Sequence, residues 1–116
     1  MAYIDGFVAA VPLANKEVYR EHAERMAETM KRYGAIRSVE TWGDNVPEGE
    51  VTSFPLAVQR KDDEVVVFSW VWWPDKPTRD DAWKRMMDDP EMSTFTDMPF
   101  DGKRMIYGGF EVLVET

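Results

Sequence analysis

Among 116 residues there is one histidine and no cysteine, so few chemistries are open to the chain. His22 is the one side chain whose ordinary pKa lies near neutrality, which makes it the candidate general base. Such a base needs a proton donor within about 3 Å and a group that orients its ring. Glu40, Asp44 and Tyr107 are the candidates for that orienting group. Arg104 or Tyr107 would hold the anion left by proton removal. The alternative for His22 is a core histidine hydrogen-bonded to a neighbour. Without Cys or a second His no nucleophilic triad can be assembled, and neither Gly-x-Ser-x-Gly nor a Gly-rich phosphate loop is present; the usual hydrolases are disfavoured. A zinc site wants several His or Cys ligands and finds one.

Asp44, Glu48, Asp97 and Asp101 are the oxygen ligands from which a Mg²⁺ or Ca²⁺ site would be built. Paired acids recur at Asp62-Asp63, Asp80-Asp81 and Asp88-Asp89, and such pairs read as solvated turns and helix ends. No metal or other cofactor is therefore expected. Trp42, Trp70, Trp72, Trp73 and Trp83 suit a stacking pocket for a flat ligand, although aromatics at strand spacing are more often core or interface residues. The stretch from Asp97 to Arg104 carries Asp97, Asp101, Lys103 and Arg104 in a long loop, which reads either as a lid over a pocket or as a dimer clasp.

Periodicity places these residues. Tyr3 to Leu13 reads as a strand ending at Pro12, mainly apolar on both faces. Asn15 reads as the cap of a helix running to about Tyr33, with Gly34 just past its end. On that helix Tyr19, His22, Ala23, Met26, Met30 and Tyr33 share one stripe, with charged residues opposite. His22 thereby faces whatever the helix packs on. Ala35 to Trp42 reads as a second strand, and Val51 to Arg60 leaves short strand and short helix open. Glu64 to Trp73 is the strongest strand pattern in the chain and is apolar on both faces. Trp70 and Trp72 share one face while Trp73 takes the other. Thr78 with Asp81 resembles a capping box opening a second long helix, which Pro90 ends. Arg104 to Glu115 reads as the last strand, loosened at Gly108-Gly109.

The order βαββαβ predicts one α+β domain over residues 1–116, a ferredoxin-like antiparallel sheet with two helices on one face. One helical layer leaves the second face bare. Exposing Val66, Phe68, Trp70 and Trp72 would forgo roughly 1.5–3 kcal/mol each, so a second copy packed sheet to sheet is expected. The alternative is that the Val51–Arg60 and Glu91–Lys103 segments cover that face. A pocket under the first helix, lined by Tyr19, His22, Met26, Trp70 and Tyr107, is the expected place for a small organic ligand.

Composition narrows the partners. Hydrophobic residues make up 44% and the net charge is −8, so the chain buries a core and repels phosphate backbones; nucleic acid is not an expected partner. No apolar run reaches the roughly 20 residues of a spanning helix, and the first residues do not read as a signal peptide. With zero cysteines, a cytoplasmic setting is expected.

Tyr3-Ile4-Asp5-Gly6-Phe7-Val8, Trp42-Gly43-Asp44, Val66 to Trp70 and the run Met98 to Phe110 resemble the YbaA-like family of small bacterial proteins, a domain of unknown function. The resemblance spans essentially the whole chain. It implies the dimeric α/β-barrel superfamily, in which two ferredoxin-like sheets pair face to face. That superfamily includes cofactor-free monooxygenases, lactone isomerases, haem-degrading enzymes and plain stress-response dimers. Its haem members place their ligand elsewhere than on the first helix, which argues against His22 as a haem ligand. The resemblance carries fold and dimer, and no particular reaction.

Overall fold

In the computed structural model, which describes residues 1–95 and 98–116, the elements follow the expected order. They are β1 (Tyr3–Pro12), α1 (Lys16–Arg32), β2 (Arg37–Trp42), α2 (Phe54–Ala57), β3 (Glu64–Trp73), α3 (Lys76–Met87) and β4 (Ile106–Glu111). The single turn α2 settles the segment that left strand and helix open. All pairings are antiparallel and the sheet order is β2-β3-β1-β4. The two strands that are apolar on both faces are thus the central pair, matched from Tyr3–Trp73 to Pro12–Glu64.

Strand alternation divides the residues between two faces. On one face, Ala9, Val11 and Val67 pack with Tyr19 and Ala23 of α1, while Tyr3, Val71 and Trp73 pack with Met30 of α1 and Ala82 and Met86 of α3. Trp73 and Met86 are fully buried there. The opposite face carries Val8, Ala10, Val66, Phe68, Trp70 and Trp72. Val58, just after α2, covers Val8, Ala10 and Val66 at one end. The rest stays open: a shallow apolar hollow lined by Ile4, Gly6, Phe68, Trp70 and Phe110, with Phe110 61% exposed. The Val51–Arg60 segment therefore covers part of the second face. Met98 and Phe100 of the long loop line the helix side of the sheet instead.

Four local expectations are corrected. Asn15 makes no side-chain cap to α1; its amide nitrogen donates to the Pro99 carbonyl at 3.0 Å and ties the helix start to the loop. The cap of α3 is Asp75, whose carboxylate accepts from the Thr78 backbone N–H at 2.8 Å, so the helix opens three residues ahead of the expected cap at Thr78 and takes Pro77 into its first turn. Ala35 belongs to the stop of α1 and not to β2. Gly34, at φ +112°, lets its own N–H reach Lys31 O while the Ala35 N–H reaches Met30 O, a Schellman closure. Likewise Arg104 lies in a 3₁₀ turn (Gly102–Arg104) capped by Asp101, so β4 begins only at Ile106.

Candidate functional site

The apolar stripe of α1 does not sit flush on the sheet. Between them lies a cavity of about 250 Å³, walled by Phe7 and Ala9 of β1, Met26 and Met30 of α1, Val67 of β3 and Phe100 of the loop. Trp83 of α3, Met98 and Met105 complete it. Such a chamber is mainly apolar, with few polar groups to orient a guest.

Those polar groups are Tyr19 and His22 from α1, Glu40 from β2 and Ser69 from β3. Glu40 and Ser69 are register partners, so their side chains rise side by side from the sheet. The Tyr19 hydroxyl donates to Glu40 Oε1 at 2.5 Å, and Ser69 hydrogen-bonds within the same pair. Burial pushes the Glu40 carboxyl above its ordinary range, although the hydrogen bonds from Tyr19 and Ser69 offset part of that rise. Burial likewise raises Tyr19, reinforced by the Glu40 charge.

His22 is one turn along α1 from Tyr19. Its Nε2 is buried and has no hydrogen-bond partner among the described residues. The ring meets Phe95 edge-on at 5.4 Å between centroids, and Arg25 lies 4.5 Å over the same Phe95 ring. Burial lowers the His22 pKa and the Arg25 charge lowers it further, so at neutral pH the imidazole is uncharged. A neutral imidazole, the Glu40 carboxylate at the rim and two hydroxyls at one apolar chamber form a set able to accept a proton from a bound molecule. Outside the chamber, Tyr19 and Glu40 also wall a wider groove of about 420 Å³ with Lys16, Arg20 and Trp42.

Of the expected site residues, Tyr19, His22 and Met26 meet at the cavity, and so does Glu40 from the candidate orienting groups. Trp42 lines the outer groove, 6.4 Å from the Tyr19 ring and 5.2 Å beneath the Lys16 ammonium. Trp70 is corrected: strand parity puts it on the opposite face of the sheet. Arg104 is also corrected as an anion holder in this pocket. Its guanidinium is engaged by Glu64, at 2.8 and 2.7 Å, and by Asp101 at 3.0 Å, which clamps the loop to β3. Asp101 serves as that partner and as a cap, and does not line the cavity. Tyr107 sits on edge strand β4, 74% exposed and outside the cavity lining. Asp97 lies outside the described residues. Glu48 pairs with Arg60 at 2.9 Å, and among the described residues no three His, Asp or Glu side chains cluster as metal ligands.

Sequence reading missed Ser69, although it is the one hydroxyl in the apolar run from Val65 to Trp73 and shares parity with Val67 and Val71. It also missed Asp5, the lone charge in β1. Asp5 accepts from the indoles of Trp73 (2.9 Å) and Trp83 (2.8 Å) and pairs with Arg79 at 2.8 Å. It thereby fixes Trp83, one wall of the cavity.

Comparison with known proteins agrees with this architecture. Residues 2–102 match the family described as "Protein of unknown function (DUF1428)". The chain is 53% identical over 116 residues to the uncharacterized protein YbaA of Escherichia coli K12, covering 99% of both chains, and equally similar to YbaA of Shigella flexneri. Among solved structures, a dimeric ferredoxin-like protein from an uncultured marine organism superposes with a TM-score of 0.59 at 14% identity over the full length of both chains. A variant of SnoaB, a cofactor-independent oxygenase from Streptomyces nogalater, gives 0.54 at 17% identity, covering 98% of this chain and 93% of that one. The fold is the ferredoxin-like α+β sandwich of one sheet and one helical layer. With a family match over most of its length and relatives at 53% identity, the chain belongs to the DUF1428 family, the YbaA-like proteins of unknown function.

Proposed function

We propose that this protein is a homodimer whose protomers each bind a small organic molecule in the cavity between α1 and the sheet. The observation that carries the reading is His22 Nε2, buried and unpartnered among the described residues, at the wall of an apolar chamber that the Glu40 carboxylate also borders. Buried polar atoms are nearly always hydrogen-bonded, so an orphan beside empty space marks a place for a guest. The dimer is supported by the bare hollow around Phe68, Trp70 and Phe110, an apolar patch on the sheet face that α2 only partly covers. The dimeric state of the marine ferredoxin-like protein favours the same arrangement. Among the described residues no helix is long and apolar enough to cross a membrane, which fits a cytoplasmic role.

Binding of naphthalene, followed by its own fluorescence, tests the cavity. Ala9 is buried on the sheet floor beneath the chamber, so Ala9→Leu fills the space while leaving every polar group in place. Saturable binding to the wild type that is lost in Ala9→Leu supports the reading; absence of binding, or equal binding to both, overturns it.

A second reading is a cofactor-independent enzyme in which His22 takes a proton from an activated organic substrate. It is favoured by the neutral imidazole with its buried Nε2 and by the likeness in fold to SnoaB. His22→Gln would then keep binding and lose turnover.

A further inference from the structure

The charge pattern of the cavity narrows the class of molecule it takes. Its lining contains one carboxylate, on Glu40, and among the described residues no Lys or Arg. The nearby cations are engaged elsewhere: Arg25 lies over Phe95, Lys16 over Trp42, Arg20 beside Glu17, Arg79 on Asp5, and Arg104 on Glu64 and Asp101. An anionic guest would be stripped of water beside the Glu40 carboxylate, with no cation in the cavity lining to pair with it. A guest carrying a hydroxyl or N–H, in contrast, meets acceptors. The carboxylate of Glu40 offers about four lone-pair sites, of which Tyr19 and Ser69 use only part, and His22 Nε2 is unused.

Size and shape add to this. An apolar cavity of on the order of 150 Å³ accommodates benzene, so about 250 Å³ admits one or two fused rings. The ring surfaces of Phe7, Trp83 and Phe100 among its walls favour a flat guest. We infer that the ligand is an uncharged, flat molecule of one or two fused rings bearing a hydroxyl or N–H, and that the cavity rejects carboxylates and other anions. This rests on the binding function proposed above and specifies its ligand.

Three probes of one shape separate the two claims: naphthalene, 2-naphthol and 2-naphthoate, titrated calorimetrically into the full chain at pH 7.5. The naphthol is then neutral and the naphthoate charged. The expected order is 2-naphthol tightest, with naphthoate weaker by about tenfold or more. In Glu40→Gln the gap between naphthol and naphthoate narrows, because the repelling charge is gone while the acceptor oxygen and its Tyr19 contact remain. Naphthoate binding as tightly as naphthol in the wild type overturns the charge selection. Naphthalene binding as tightly as naphthol overturns the hydrogen-bond requirement while leaving the cavity intact. If none of the three binds, the binding function falls, and this inference with it.

Discussion

The Tyr19 hydroxyl hydrogen-bonds Glu40 Oε1 at 2.5 Å, bridging α1 to the edge strand β2 and forming the wall between the inner cavity and the outer groove. A carboxylate in that position is costly: burial raises its pKa, and two hydroxyl donors offset only part of the cost. The arrangement fits a site kept for chemistry at some expense of stability.

Glu40→Gln is therefore expected to leave the protein at least as stable as the wild type at neutral pH. Because the folded-state pKa of Glu40 is raised, its contribution is fully favourable below the unfolded value of 4.5 and is lost as pH rises through the higher folded value. The advantage of the variant should grow from pH 4.5 upward and vanish below it. Melting temperatures from pH 4 to 8 measure this; a variant less stable than wild type at pH 7 would contradict it.

His22 behaves with the opposite sign. Its folded-state pKa is depressed below 6.5, so the stability it contributes is present above pH 6.5 and lost as pH falls toward the lower folded value. It is the only histidine, so its ring C–H resonance is unambiguous in a proton NMR titration. The midpoint should lie below 6.5. A midpoint at or above 6.5 would mean the imidazole is solvated and the cavity wall is misassigned.

The bare face of the sheet gives a sharp contrast between neighbouring tryptophans. Trp70 lies on that face, whereas Trp73 is fully buried under the helices with its indole bonded to Asp5. Trp70→Lys should keep the fold and shift light scattering from twice the 13.5 kDa chain mass to the chain mass itself. Trp73→Lys should fail to fold. A wild type that scatters as 13.5 kDa would remove the dimer.

Asp5 and Gly109 are register partners on β1 and β4, and the glycine is required there. A Cβ at position 109 would stand 2.5 Å from the Tyr3 hydroxyl and 3.0 Å from Arg79 Nη2. Gly109→Ala is expected to cost about 1–3 kcal/mol in urea denaturation. Asp5→Ala, which strands two indole N–H groups and leaves the Arg79 guanidinium to Asp80, should cost about 3 kcal/mol. Values near zero for both would show that this cluster does not hold α3 on the sheet.

Much of the fold was legible because hydrophobic period is a local signal. The both-sided apolar runs of β1 and β3 located the central strands, and the 3.6-residue stripe on α1 brought Tyr19, His22 and Met26 to one place. Capping was legible in type and misplaced in detail, since Asp75 and Thr78 are both good cap residues three apart and only the backbone decides between them. The cavity was half legible. Glu40 reaches the cavity but bonds Tyr19 and not the His22 that it was a candidate to orient, and Trp70 lies on the other face, because parity says which residues share a face and not which face the helices cover. Arg104 was misread for a different reason. A cation in a loop reads as free until Glu64, forty residues away, is found beneath it.

The most direct test of the cavity is the His22 C–H resonance during titration with 2-naphthol at pH 7.5, in the wild type and in Ala9→Leu. Occupancy of the chamber should move that resonance saturably in the wild type and lower the His22 midpoint further where the guest excludes water, with no movement in the filled variant. A resonance that stays put at saturating naphthol, or moves equally in both proteins, would show that the space under α1 is not a binding site.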